Sequence, residues 1–243
     1  MDDDMTTLKI AKQELRKTLR RRLSHVPTEA VTQQSRAIVD ILFSLPEYQA
    51  AQRISIYLSM PSGEVSTVPI VQDALRHGKK VFVPYIHHLA TPEPGGARKV
   101  MDMVSLLDWA DYEALERDAW GIPTPTLDSI ARRERCLGDA GSLGGEQGRG
   151  EGSGWGLDLV VMPGMGFDRG LRRLGHGKGF YDFFLQRYQH KTTMTEEQGN
   201  RMMPLLVGLA LEEQLLPPNA EVPTNNQDWP LNALIVGDGT LIR

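Results

Sequence analysis

Apolar and polar positions along this chain fall into two kinds of pattern. Leu8, Ala11, Leu15, Leu19 and Leu23 recur at spacings of three and four, which predicts an amphipathic helix capped by Thr6 or Thr7 and running to about Leu23. Lys12, Arg16 and Arg20 form a cationic ridge one residue over. A second helix is predicted over 28–44, with Thr28 as its cap, Val31, Ala37, Ile38, Ile41 and Leu42 on its buried side and Pro46 stopping it. Further helices are expected over 67–77, ended by Gly78, and over 180–189. The other pattern is a series of short apolar runs, at 53–60, 80–85, 157–164, 205–210 and 233–237, with a short strand at 99–104. Such runs read as buried strands, and two βα units in succession point to a parallel sheet covered by helices. The expected fold is α/β, a single three-layer domain over residues 1–243, with a mostly parallel sheet and helices on both faces in a Rossmann-like arrangement.

One stretch breaks the pattern and organises the rest. Arg173-Leu174-Gly175-His176-Gly177-Lys178-Gly179-Phe180-Tyr181-Asp182 places three glycines in alternation with a histidine and a lysine, between an apolar strand and a helix. Glycine lets backbone N–H groups approach an anion, the helix N-terminus adds partial positive charge, and Arg173 and Lys178 add full charges. Asp182 would hold magnesium through one carboxylate oxygen. The spacing is neither that of a P-loop, because Gly177-Lys178 is followed by Gly179, nor the dinucleotide G-x-G-x-x-G. The loop reads as an anion site; the alternative is a charged surface turn.

Other candidates each carry two readings. The ridge Lys12–Arg16–Arg20 is either a solvated face or a set of cations reaching a bound polyphosphate. Glu64, after Pro61-Ser62-Gly63, is either an acceptor for heterocycle N–H groups or an acid near the start of a helix. Trp120 either covers a ligand or closes the edge of the core. Asp228 is either a second metal ligand or a turn former.

Composition narrows the field. The chain has 243 residues, 40% hydrophobic and 24% charged, with a net charge of −4 and one cysteine, Cys136. The net charge argues against nucleic acid, and the ridge lacks interleaved aromatics. One cysteine rules out a disulfide framework and a Cys-rich zinc site, and points to a reducing compartment. No apolar run approaches the roughly 20 residues that span a membrane. The basic amphipathic start resembles a mitochondrial presequence, but the aspartates at 2–4 argue against one, so a cytoplasmic, uncleaved chain is expected. Residues 91–97 form a Pro/Gly loop, and 138–156 read as a flexible glycine-rich insertion.

Taken in order, these stretches resemble the 5-formyltetrahydrofolate cyclo-ligase (methenyltetrahydrofolate synthetase) family. The resemblance rests on Ala11-Lys12…Leu15-Arg16, on the run from Ile54 to Met60 followed by Gly63-Glu64, on Met101-Asp102-Met103-Val104 and on Trp120-Gly121-Ile122-Pro123. Above all it rests on Asp158-Leu159-Val160-Val161-Met162-Pro163-Gly164-Met165-Gly166-Phe167-Asp168 followed by the glycine loop. It implies an enzyme that uses ATP as co-substrate and Mg2+ as cofactor to close 5-formyltetrahydrofolate to 5,10-methenyltetrahydrofolate. By the same resemblance, Lys12, Arg16, Arg173, Leu174, Gly175, His176, Gly177, Lys178, Gly179, Phe180 and Tyr181 hold ATP, with Lys178, Arg173 and Tyr181 at the chemistry. Leu58, Glu64, Trp120, His176, Lys178 and Phe180 surround the folate, and Asp182 and Asp228 hold the metal. The partners implied are small molecules, with no nucleic acid or membrane, and a monomer is expected.

The chain departs from the family at two points. His176 stands where many members carry arginine, and Gln227-Asp228 where they often carry His-Asp. A polyphosphate beside His176 would favour its protonated form, so nucleotide affinity is expected to weaken as pH rises through that titration. Two other classes fit parts of the pattern: a sugar-phosphate isomerase with Glu64 as base, and a folate- or nucleotide-binding protein without turnover.

Overall fold

The computed structural model describes residues 2–88, 99–138, 155–194 and 202–243. The expected 91–97 loop and residues 139–154 of the expected insertion lie outside them. The chain begins with α1 (Asp2–Leu23), α2 (Thr28–Ser44) and the short α3 (Pro46–Ala50), then enters β1 (Arg53–Ile56). Helix α4 (Val68–Arg76) leads to β2 (Lys80–His88) and β3 (Lys99–Leu106). An excursion follows, made of α5 (Trp109–Glu113), β4 (Glu116–Arg117), β5 (Pro123–Thr124) and α6 (Leu127–Ile130). The chain returns in β6 (Leu159–Met162), turns through the hairpin β7 (Gly166–Phe167) and β8 (Arg173–Leu174), and enters α7 (Phe180–Met194). It ends with β9 (Leu205–Ala210), β10 (Ala233–Val236) and β11 (Leu241–Ile242).

Seven strands form one sheet in the order β11-β10-β9-β6-β1-β2-β3. The four pairings from β2 through β1, β6 and β9 to β10 are parallel, and only β3 and β11 run antiparallel. Strand residues alternate between two cores. Ile54, Ile56, Leu159, Val161, Val207 and Ile235 pack with α2, α3 and α4 on one face. Val160, Met162, Leu206, Leu234 and Val236 pack with Phe184, Leu185 and Tyr188 of α7 on the other. Burial on both faces is why these strands read as continuous apolar runs rather than alternating ones. Among the described residues, no helix is long and apolar enough to cross a membrane.

Helix α1 covers neither face. Its stripe centres on fully buried Leu19, which packs with Met165, Leu174, Leu216 and Val222 around the β7–β8 hairpin. The helix therefore lies across one end of the sheet, with the ridge of Lys12 and Arg16 beside the hairpin.

Several expected boundaries move. Helix α1 starts at Asp2, so Thr6 and Thr7 lie inside it rather than capping it. Pro27 is the N-cap of α2, and Thr28 is its first helical residue. Pro46 ends α2 by opening α3, as proline at a first helical position does. Strand β1 stops at Ile56 rather than residue 60. Beyond it, side chains replace the ladder: the Thr67 hydroxyl donates to the Tyr57 carbonyl at 2.7 Å and accepts from the Ser59 N–H at 3.1 Å, and Glu64 accepts from the Met60 N–H at 2.9 Å. Strands β2 and β3 are longer than expected because they pair along their whole length, from Val81 with Leu106 to His88 with Lys99. Pro84 is tolerated in β2 because pairing with β1 has ended at Phe82.

The sheet order reverses direction between β1 and β6. From β1 the chain moves outward to β2 and β3; from β6 it moves outward the other way to β9, β10 and β11. Ligands of open α/β sheets bind at the carboxyl ends of strands at such a switch point. The two segments that leave it here are the 57–64 loop after β1 and the hairpin and glycine loop after β6.

Candidate functional site

The glycine loop connects β8 to α7. Gly177 and Gly179 take φ of 96° and 67°, a left-handed region that other residues enter at a cost. The Phe183 N–H donates to the Gly179 carbonyl at 2.9 Å, so Gly179 caps α7 and the first N–H groups of that helix face the loop. Arg16 Nε donates to the Gly175 carbonyl at 2.8 Å, which ties α1 to the loop. Between them lies a cavity of about 260 Å³, lined by Lys12, Gln13, Arg16, Gly177 and Asn225 among others.

Two cations of the site are held by two acids. The Arg173 side chain is 4% exposed and its Nη2 lies 2.8 Å from Asp182 Oδ1, which also accepts the Trp229 N–H at 3.2 Å. The Arg173 guanidinium lies 5.9 Å from the Tyr181 ring centroid, and its Nε is buried with no hydrogen-bond partner among the described residues. Lys12 Nζ reaches both oxygens of Asp228, at 2.6 and 2.8 Å, and the Asn225 N–H closes a turn onto the same carboxylate. Lys178 is exposed and makes no ion pair among the described residues. Asp182 and Asp228 suit magnesium, which uses one or two carboxylates and otherwise water and phosphate oxygens. Among the described residues no cluster of three His, Cys, Asp or Glu forms a cage for a metal.

His176 is exposed, yet its pKa falls below 6.5: the surrounding protein strips water from the ring, and Arg173, Arg20 and Arg16 oppose a further positive charge. An anion at the loop would reverse that field.

Glu64 folds back onto its own loop instead of opening α4. Burial pushes its carboxyl up to about 7, against the Met60 N–H, which favours the charged form. Tyr57 and Tyr181 are close enough to feel that carboxylate; burial raises both phenols above their ordinary range, while Arg173 pulls Tyr181 the other way. The Tyr181 hydroxyl is buried and has no hydrogen-bond partner among the described residues. Buried polar groups are almost always paired, so this one is a candidate ligand contact.

Of the candidate residues, Lys12, Arg16 and Gly177 line the cavity between α1 and the loop; Asp228 adjoins it through Lys12, Arg16 is tied to Gly175, and Arg173 pairs with Asp182 and lies over Tyr181. Leu58 and Leu174 are core side chains, 6% and 1% exposed, so any contact they make with a ligand is through the main chain. Phe180 packs partly into the α7-side core. Trp120 is 74% exposed and does not close the core edge. The Asp118 carboxylate holds its turn by accepting the Trp120 and Ile122 N–H groups, and Gly121 lies against Pro61, which sets Trp120 at the rim of the 57–64 loop.

Two supporting residues were not singled out from sequence. Asp168, 1% exposed, accepts from the Gly170, Arg172 and Val222 N–H groups and from Arg172 Nε, fixing the hairpin that delivers Arg173. Gln214, 2% exposed, accepts the Leu211 N–H and donates to the Gly164 carbonyl. Asp168 had a signal, an acid two residues before a glycine in a turn; Gln214 acts across 50 residues, which no local pattern reports.

An α/β fold with a cationic glycine loop at its switch point has the features of an anion site, and comparison with known proteins places the fold in a family. The model of the 5-formyltetrahydrofolate cyclo-ligase family matches residues 8–137 and 145–237. A Mus musculus protein named 5-formyltetrahydrofolate cyclo-ligase is 31% identical over 233 residues, covering 96% of each chain. A Schizosaccharomyces pombe protein named as a probable one is 29% identical over 228 residues, covering 94% of this chain and 96% of the relative. The solved structure of an Aquifex aeolicus 5,10-methenyltetrahydrofolate synthetase shares the fold, with a TM-score of 0.59 at 24% identity, covering 96% of this chain and 92% of that one. The chain belongs to the 5-formyltetrahydrofolate cyclo-ligase family, a family of enzymes. Membership does not set a compartment: an Arabidopsis thaliana relative, 28% identical over 237 residues, is named as mitochondrial.

The buried Glu64 yields a stability prediction. Its folded pKa of about 7 lies above the ordinary 4.5, so the folded state favours the protonated form. The penalty is absent below pH 4.5, grows between 4.5 and 7, and is complete above 7, where the displacement corresponds to about 3 kcal/mol. Glu64→Gln keeps an acceptor for the Met60 N–H and should be more stable than wild type by an amount that rises from pH 5 to pH 8 in denaturant titrations. A difference independent of pH would contradict the burial of that charge.

Proposed function

We propose that this chain closes 5-formyltetrahydrofolate to 5,10-methenyltetrahydrofolate, converting ATP to ADP and phosphate, as a single cyclo-ligase domain acting on small molecules. The observation that carries the reading is the pairing of Arg173 with Asp182 and of Lys12 with Asp228 around a glycine loop that faces α1. Family membership supplies the substrate.

The chemistry asks for positioning and charge neutralisation more than for a protein nucleophile. The N5-formyl oxygen attacks the γ-phosphorus, the bond to the β-bridging oxygen breaks, and ADP leaves. N10 then attacks the formyl carbon of the resulting iminium phosphate, the carbon–oxygen bond breaks to release phosphate, and the N10 proton is lost. Lys12 and Arg16 hold the polyphosphate from the α1 side, and the loop N–H groups and the α7 N-terminus hold it from the other. Lys178, which makes no ion pair among the described residues, meets the charge that develops on the transferring phosphoryl group. Arg173, whose Nε has no hydrogen-bond partner among the described residues, lies over the ring of Tyr181, whose hydroxyl has none either. Glu64 accepts hydrogen bonds from the pterin, with Trp120 at the rim. Magnesium, held by Asp182 and Asp228 with phosphate oxygens, would supply further neutralisation of the β- and γ-oxygens.

The protein mixed with 5-formyltetrahydrofolate, ATP and magnesium should develop the methenyl-folate absorbance band, and an ATP-free control should not. In the same assay Lys178→Ala should lose at least about a hundredfold in kcat/KM. No band with wild type would overturn the reading; near-normal turnover by Lys178→Ala would move the phosphoryl group elsewhere.

His176 gives a pH dependence. Its lowered pKa leaves the free protein with a neutral ring at neutral pH, and a bound polyphosphate raises that pKa, so ATP binding takes up a proton. KM for ATP should therefore rise as pH rises above the free-protein titration, and His176→Arg should flatten that rise. An identical profile in the two proteins would remove His176 from the nucleotide site.

A further inference from the structure

Among the described residues, Leu171 is the one non-glycine residue in the left-handed region, with φ of 63°. It lies in the β7–β8 hairpin. Its N–H closes a turn onto the Asp168 carbonyl at 3.1 Å, and the Asp168 N–H reaches the Arg172 carbonyl at 3.2 Å. Hairpins with such a three-residue loop usually put glycine at that place, because leucine enters the left-handed region only at a cost. A glycine does stand one residue earlier, but Gly170 is not in that region. We propose that Leu171 is a positioning residue for the nucleotide site: it locks the hairpin that carries Arg173 to the loop that carries Asp228, so that the two ion pairs move as one unit. The inference rests on the proposed function, which places Mg-ATP between those pairs.

Two features of Leu171 make the lock. Its side chain is half-buried and packs against the α7-side core, which also receives Trp229. Its carbonyl accepts the Leu231 N–H at 2.9 Å. Leu231 is itself 4% exposed and sits over Gly208 of β9, where an added Cβ would come within 2.5 Å of it. The next residue, Asn232, donates its N–H to the Leu206 carbonyl and accepts the Leu206 N–H on Oδ1, each at 2.8 Å. Through Leu171 the hairpin is thus tied to a fixed point on the sheet.

The residues just before Leu231 connect that point to the site. Asp228 holds Lys12 of α1 at 2.6 Å. The Trp229 N–H donates at 3.2 Å to Asp182 of α7, on the same oxygen that pairs with Arg173. Positions 228, 229 and 231 therefore reach three different elements: α1, α7 and the hairpin. The third of these ties is made to a residue in a strained conformation. Such strain persists only where the surrounding structure over-determines it, and it clusters at functional sites. A glycine at 171 would relax the turn, but it would also loosen the hairpin and remove the apolar anchor. Arg173 and Asp228 would then lose their fixed spacing, and magnesium and phosphate both demand well-placed ligands.

The test compares wild type, Leu171→Gly and Leu171→Met. Glycine relieves the backbone and removes the side chain, whereas methionine keeps an apolar side chain of similar volume. Denaturant titration first establishes that each variant is folded; if Leu171→Gly is not, Leu171→Asn, which tolerates the same conformation with a polar side chain, takes its place. Three quantities are then measured in each protein: the dissociation constant of Mg-ATP, that of 5-formyltetrahydrofolate without nucleotide, and amide hydrogen exchange at Trp229 and Leu231 in the free protein. Leu171→Gly should weaken Mg-ATP binding about fivefold or more, the size of effect transmitted without contact to the ligand. It should leave folate binding unchanged and speed exchange at Trp229 and Leu231. Leu171→Met should behave as wild type. Unchanged Mg-ATP binding or unchanged exchange in Leu171→Gly, an equal loss of folate affinity, or the same losses in Leu171→Met would each overturn the inference. Turnover by wild type tests the proposed function separately: without turnover both fall, whereas turnover together with any of those results removes the role of Leu171 alone.

Discussion

Two ion pairs bridge the elements of the site, and each joins a cation suited to phosphate with an acid suited to a metal. Arg173, delivered by the β7–β8 hairpin, is held by Asp182 of α7; Lys12 of α1 is held by Asp228, from the loop before β10. Without these contacts the Arg173 charge, 4% exposed, would stand buried and alone, a loss worth about 3–5 kcal/mol. In the proposed function they also pre-position the groups for a nucleotide: Lys12 and Arg173 would meet phosphate oxygens, and Asp182 and Asp228 would hold the metal, so that neither charge is left bare.

The rest of the fold serves that junction. A sheet buried on both faces gives a rigid frame, and its reversal between β1 and β6 brings two carboxyl-end loops together. Leu19 docks α1 over the hairpin, so the preceding turns of the same helix bring Arg16 to the Gly175 carbonyl and Lys12 to Asp228. Asp168 fixes the hairpin through three backbone N–H groups, which is how a two-residue strand can carry a buried arginine. At the loop after β1, Glu64 is 8% exposed, and burial pushes its carboxyl up to about 7.

Much of this was legible from the residues. Strands at 205–210 and 233–236 follow from unbroken apolar runs, and the glycine loop from its position between a strand and a helix. What was missed depended on contacts distant in sequence or on side chains acting as backbone. The end of β1 is set by Thr67 and Glu64 hydrogen-bonding to main chain, which an apolar run does not disclose. The extension of β2 to His88 needs β3 as its partner. The ridge on α1 had two readings, and the pattern alone does not disclose that Lys12 pairs with Asp228 and Arg16 with the Gly175 carbonyl. The resemblance implies Leu58 and Leu174 as ligand contacts, and no local pattern discloses that their side chains are buried in the core.

The central claim is that the acids and cations of the two pairs separate together onto a metal–nucleotide complex. Its most direct test is the dissociation constant of ATP, titrated without folate, in magnesium and in EDTA. In EDTA, phosphate would draw Lys12 and Arg173 away and leave Asp228 and Asp182 uncompensated. The account predicts binding at least about tenfold tighter in magnesium, a difference of about 1.4 kcal/mol. Equal affinity in the two conditions would contradict it.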